Sequence, residues 1–204
     1  MGQTLDSRGN KTEMAKDKNR HCATDVNIAL LRGINVGGKN KLPMKELAAL
    51  FVDAGCEEVR TYIQSGNVVF RTGSADAGEI SSIISASILD RFGYRVPVIV
   101  RTAGELEGIA QGNPFVKAGA ETDKLHVMFL AELPDSASVE ALDPARSPGD
   151  EFAVQGREVY LHCPNGVARS KLTNSYFDSK LSTTSTSRNW RTVGRLLELA
   201  AGAG

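Results

Sequence analysis

The chain has 204 residues, 41% hydrophobic and 24% charged, with 24 Lys plus Arg against 24 Asp plus Glu. That length holds enough material for one larger domain or two small ones. The charge balance excludes a surface built throughout for nucleic acid, although it leaves room for a local basic patch.

The cysteines, Cys22, Cys56 and Cys163, share no C-x-x-C spacing. A disulfide framework or structural zinc site is therefore not expected, and a reducing, cytoplasmic setting is. No run reaches the length of a membrane span, so no membrane partner is expected. Residues 1–24 are polar and without periodicity and read as a disordered N-terminal extension. His21 and Cys22 adjoin within it, but two neighbouring ligand types in a tail do not make a metal site.

Ordered structure is expected from Val26. The run VNIALLR (26–32) reads as a buried strand. Pro43 suits the first position of a helix, where its missing N–H is no loss. The following helix buries Leu47, Leu50 and Phe51 and stops at Gly55. EEVRTYI and NVVFRT form two strands around the tight turn Gln64-Ser65-Gly66-Asn67. A second helix, about 77–92, carries Ile80, Ile83, Ile84 and Ile88 as an apolar stripe. VPVIVR (96–101) is the next strand, and Pro97 places it at a sheet edge.

A short helix around Leu106 and Ile109 runs into the breaker Asn113-Pro114. KLHVMFLAE (124–132) then begins a second pass: strand, short helix (136–142), a hairpin turning at Gln155-Gly156-Arg157, a helix over 170–181, a strand near 184–187, and a last helix with Trp190, Val193, Leu196 and Leu197. The order strand, helix, strand, strand, helix, strand occurs twice. The expected fold is α+β, with two tandem ferredoxin-like (βαββαβ) halves and mainly antiparallel sheets. The halves span 25–102 and 124–204, the second including the C-terminal helix, with a connecting helix and linker at 103–123.

Chemistry concentrates in RGINVGGKNKLP (32–43). Gly33-x-x-x-x-Gly38-Lys39 matches most of a phosphate-binding P-loop, but Asn40 stands where Ser or Thr would ligate magnesium. A P-loop also runs straight into its helix, whereas Lys41, Leu42 and Pro43 intervene here. The P-loop reading is rejected. Positive φ at Gly33, Gly37 and Gly38 explains the glycines. It does not explain the clustering of polar side chains, which suits an anion or polar ligand.

In a ferredoxin-like half this loop and the hairpin lie at one end of the sheet, which gathers Arg32, Asn35, Lys39, Asn40, Gln64, Ser65 and Asn67 as candidate ligand contacts. A second polar group, Arg169, Ser170, Lys171, Thr173, Arg188 and Asn189, falls at strand ends of the second half. Arg169, Lys171 and Arg188 are expected to sit together and to face the glycine-bearing loop across one cleft, since pockets favour domain junctions.

ALLRGINVGGKNKLPMKEL (29–47) and VRTYIQSGNVVF (59–70), followed by ARSKLTN (168–174) and RNWRTV (188–193), closely resemble the domain of unknown function 1697 family. The resemblance runs from about Val26 to Leu199. It implies an α+β protein of tandem ferredoxin-like character and brings no activity, substrate or catalytic residues with it. Ala168 departs from the resemblance, because a Gly commonly precedes the Arg there.

Other chemistry is weakly signalled. His126 and His162 lie on different strands, and Ser65 and Ser170 lack a general base. The sequence specifies no cofactor, no metal and no catalytic residue, and leaves enzyme activity open. The function expected is binding of a phosphate-bearing small ligand or nucleotide through the Gly-rich basic loops. Nucleic acid is disfavoured, because Tyr62 and Phe70 are the only aromatics on the first hairpin and no RNA-binding aromatic run is present. The alternatives are a protein-interaction or assembly module whose loops are structural, or an enzyme of unknown reaction.

Overall fold

The computed structural model describes residues 25–72 and 77–202. The expected N-terminal extension, with His21 and Cys22, lies outside the described residues. The fold is α+β: two four-stranded antiparallel sheets and, among the described residues, seven helices.

The first sheet comprises β1 (Asp25–Leu31), β2 (Glu57–Tyr62), β3 (Asn67–Thr72) and β4 (Val98–Thr102), in the order β2-β3-β1-β4. The second comprises β5 (Leu125–Leu130), β6 (Glu151–Gln155), β7 (Glu158–His162) and β8 (Ser185–Asn189), in the order β6-β7-β5-β8. Helices α1 (Met44–Asp53) and α2 (Ala77–Phe92) connect the strands of the first sheet, and α5 (Ser136–Glu140) and α6 (Asn174–Leu181) those of the second. Helices α3 (Ala103–Gly112) and α7 (Trp190–Ala201) each follow the last strand of a sheet, and α4 (Pro114–Lys117) is a single turn.

Alternation along each strand sorts the side chains into three apolar clusters. On β1, Ala29 and Leu31 point to α1 and α2, where Phe51, Phe70, Ile80, Ile84 and Ile88 complete one cluster. Ile28 and Leu30 point the other way. With Val127 and Phe129 of β5, Leu106 and Ile109 of α3, and Val193 and Leu196 of α7, they form a central cluster between the sheets. Met128 and Leu130 face Phe177 and Leu181 of α6 in the third. Each fully buried Leu, Ile or Phe contributes about 1.5–3 kcal/mol, so the central cluster fixes how the sheets meet.

Several expectations change locally. Ile83 stays 37% exposed, leaving Ile80, Ile84 and Ile88 as the buried stripe of α2. Pro43 is the N-cap of α1 and not its first residue. Helix α6 starts at Asn174 and not at 170, because the Thr173 hydroxyl caps it by accepting from the Tyr176 N–H. Asn113-Pro114 does break α3, but Asn113 then caps α4, with Pro114 in its first turn. Pro97 lies just before β4, an edge strand, and its carbonyl accepts from the Arg32 N–H at 3.0 Å.

The registers of the two sheets correspond. Ile28 lies opposite Val69 and Arg101, and Val127 lies opposite Tyr160 and Arg188. The Leu31 N–H donates to the Gly66 carbonyl at 2.8 Å, and the Leu130 N–H donates to the Arg157 carbonyl at 2.8 Å. Thr102 caps α3 and Asn189 caps α7. Arg101 and Arg188 thus occupy equivalent positions, one residue before a helix cap, on the inward faces of edge strands.

Candidate functional site

Each of these arginines crosses from its own sheet to the other. Arg188 is 7% exposed. One terminal nitrogen donates to the carbonyls of Leu31 (2.7 Å), Gly66 (3.1 Å) and Ser65 (3.2 Å). The other donates to the Thr186 hydroxyl and the Ser187 carbonyl, both at 2.8 Å, and Nε donates to Asn67 Oδ1 at 2.5 Å. Arg101 does the same in reverse: to the Leu130 carbonyl at 2.7 Å, the Arg157 carbonyl at 3.3 Å, and Glu158 Oε1 at 2.9 Å.

The difference between them lies in charge. Glu158 neutralises Arg101, whereas the equivalent position beside Arg188 is the neutral Asn67. Among the described residues no carboxylate pairs with Arg188, and burial pushes its guanidinium down to about 10. Burial also lowers Arg101, and Glu158 opposes that shift. An uncompensated buried cation is costly in a medium of low polarity.

A cavity of about 430 Å³ opens beside Arg188. Arg32, Ser65, Asn174, Thr186 and Asn189 line it, with Val36 and Ile63 also contributing. Arg32 pairs with Asp178 of α6, and Asp178 in turn accepts from the Ser185 hydroxyl at 2.6 Å. The first turn of α7 carries no acidic side chain, so its N-terminal partial positive charge is unopposed there. The equivalent corner, beside Arg101, has a cavity of about 540 Å³. Its cations are paired, Arg101 with Glu158 and Arg157 with Glu105 at 2.6 Å.

The glycine-bearing loop and the hairpin are neighbours. Asn35 Nδ2 donates to the Gln64 carbonyl at 2.9 Å and to the Leu42 carbonyl at 2.8 Å, and its Oδ1 accepts from the Leu42 N–H at 2.8 Å. Asn40 Nδ2 donates to the Gly33 carbonyl at 3.0 Å. These two amides fold the loop on itself. Lys39 is exposed at the loop tip, where its N–H meets the Val36 carbonyl at 3.1 Å. Asn67 is fully buried and also donates to the Tyr62 carbonyl, while the Gln64 side chain is exposed. Gly66 is required for two reasons: its φ is +73°, and a Cβ would lie 2.7 Å from Leu31 Cβ.

Of the second group, Arg188 and Asn189 reach the cavity, Arg169, Ser170 and Lys171 do not, and Thr173 is the cap of α6. Arg169 ends an exposed 3-10 turn, Val167–Arg169. The Ser170 hydroxyl accepts from the Leu172 N–H, and the Lys171 N–H donates to the Ser147 hydroxyl, which ties this loop to the connection before β6. Arg101, Asn174, Asp178 and Thr186 were not singled out in the sequence. The available signal was an arginine directly before a helix cap at the end of each last strand, Arg101-Thr102 and Arg188-Asn189.

Nucleophilic chemistry finds no support in the thiols. Cys56 is buried in the outer cluster, and burial raises it to about 11. Cys163 is buried and raised for the same reason. His162 stands beside Glu151 and the Phe115 ring, away from the cavity. Among the described residues, no group of three or more His, Cys, Asp or Glu is arranged to hold a metal, and no helix is long and apolar enough to cross a membrane.

Among curated proteins, none matches the sequence. Among solved structures, the chain is similar to the conserved bacterial protein SP0830 from Streptococcus pneumoniae, with a TM-score of 0.68 and 20% identity over 87% of this chain and 99% of that one. At that identity the likeness shows the fold alone. The family model described as "Protein of unknown function (DUF1697)" matches residues 25–160, from β1 into β7 and short of α6, β8 and α7, and the chain belongs to that family.

Proposed function

We propose that the chain binds a small anionic, phosphate-bearing ligand or nucleotide in the cavity beside Arg188. One observation carries the reading: Arg188 is buried without a carboxylate partner next to that cavity, while its counterpart Arg101 is neutralised by Glu158. An anion in the cavity supplies the missing charge. Arg32 is the side chain best placed to meet it, by exchanging part of its contact with Asp178. Arg188 acts mainly through its field, since its donors are occupied by carbonyls and side chains of the hairpin and β1. In this reading each sheet with its two helices is a ferredoxin-like half, 25–102 and 124–204, supported by the shared strand order. Extended RNA or DNA fits less well. Phe70 is buried against Phe51 beneath α1, and the opposite sheet face is covered by α3 and α7.

The test is a thermal-shift series with inorganic phosphate, AMP and a sugar phosphate, at constant ionic strength with chloride as control. A ligand at 100 times its Kd stabilises by about 2.7 kcal/mol. Replacing Arg32, which lines the cavity, by Ala should abolish the response and leave the protein folded. An unchanged response would remove the loop from the site.

A second reading has its own observation. Asn35 and Asn40 are engaged in holding the loop, as a purely structural loop requires. If no anion shifts the melting point, the chain is better read as an interaction or assembly module.

A further inference from the structure

Given an anion in the cavity beside Arg188, as proposed above, the lining of that cavity also selects the chemical class of the ligand. Two apolar side chains stand at the mouth of the cavity: Val36, 63% exposed, from the glycine-bearing loop, and Ile63, 51% exposed, from the hairpin. Neither joins an apolar cluster.

Ile63 has φ +48°. A β-branched residue in the left-handed region is a genuine outlier, because its Cβ crowds the following carbonyl. Gly or Asn takes that conformation with little strain, and backbone strain of this kind collects at ligand-binding positions. An exposed isoleucine in a turn that disfavours it gains nothing from core packing to offset the strain. Val36 is held at the loop tip by its own bridge to Lys39, between Gly37 and Gly38 and the Asn35 latch. The cavity therefore has Arg188 as its unpaired cation, the Arg32–Asp178 ion pair beside it, and an apolar mouth.

We infer that the ligand is an organic anion, with its charged head toward Arg188 and Arg32 and a flat or apolar body of about one ring between Val36 and Ile63. The volume of about 430 Å³ suits a ligand of that size. Inorganic phosphate alone would leave the apolar mouth in water. A neutral aromatic would leave Arg188 uncompensated.

The chain contains a single tryptophan, Trp190, half-buried at the start of α7 beside the lining residue Asn189. Its fluorescence, together with thermal shift, reads binding of three probes: inorganic phosphate, phenyl phosphate and phenol. Phenyl phosphate should bind at least tenfold more tightly than phosphate, as burial of a further ~60 Å² of apolar area provides. Phenol should not saturate. Ile63→Gly should keep or raise the melting temperature and leave phosphate affinity unchanged, while phenyl phosphate affinity falls about fivefold or more. Ile63→Asn, which also accepts the backbone angle, should behave alike. If phosphate binds and phenyl phosphate gains nothing, or if neither variant changes their ratio, the apolar-bodied ligand is overturned and the anion site stands. If neither anion binds, the anion site itself is overturned.

Discussion

Cys56 shows how little a residue type says without its surroundings. As a lone thiol just beyond a helix it is a nominal nucleophile. In the fold its N–H donates to the Phe51 carbonyl at 3.0 Å and its side chain packs among the residues of the outer cluster. Burial disfavours the thiolate, which raises the pKa from 9.0 to about 11. The folded value lies above the unfolded one, so the stabilisation is fully present below pH 9.0. It is lost as pH rises through about 11, because the unfolded chain then releases a proton that the native protein retains. Two pH units correspond to about 3 kcal/mol. Urea unfolding between pH 8 and 11 should show stability falling with pH, and Cys56→Ala should make that fall shallower. Equal slopes would mean that the Cys56 thiol is not shielded from solvent.

At the scale of elements, the loop between β1 and α1 illustrates what pattern can and cannot reveal. The positive φ of Gly33, Gly37 and Gly38 and the nearness of loop and hairpin followed from glycine spacing and topology. The use of Asn35 and Asn40 did not, because an amide reads the same whether it meets a ligand or a backbone carbonyl. Helix α6 shows a similar limit, since the segment ahead of it has helical composition but Thr173 caps the chain four residues later than apolar spacing suggests. The nearness of loop and hairpin was legible because one sheet end gathers them, but of that first group of candidates only Arg32 and Ser65 line the cavity. The second group was only half legible, since the segment after Arg169 is tied at the Lys171 N–H to Ser147, a contact between loops with no periodic signature. The latch is testable. Asn35→Ala removes three hydrogen bonds and leaves the Leu42 N–H and carbonyl without these partners. At about 1 kcal/mol per bond, the expected loss is about 2–3 kcal/mol. Hydrogen exchange should quicken at residues 33–42 and not in β5–β8. A variant with unchanged exchange in the loop would show that the glycines alone set its shape.

For the molecule as a whole, the two sheets are joined by a central apolar cluster and by two arginine crossings of equal geometry and unequal charge. This inequality supports the proposed site, and a pair of double-mutant cycles measures it. Arg101→Met leaves Glu158 without its cation at the interface, which should cost about 3–5 kcal/mol. Adding Glu158→Gln should restore a substantial part of it. Arg188→Met leaves no carboxylate behind but removes the donors that serve Leu31, Gly66 and Asn67, at about 1.5–3 kcal/mol for each contact from a charged donor. Adding Asn67→Ala should restore little, because Asn67 also holds the hairpin through Tyr62 and Ser65. The coupling energy should therefore exceed about 2 kcal/mol for Arg101 with Glu158 and stay near 1 kcal/mol for Arg188 with Asn67. The anion also enters the comparison: a saturating phosphate ester should stabilise the wild type and Arg101→Met alike and stabilise Arg188→Met much less. Equal couplings at the two crossings would mean that Arg188 is compensated after all, and the cavity beside it would lose its claim on an anion.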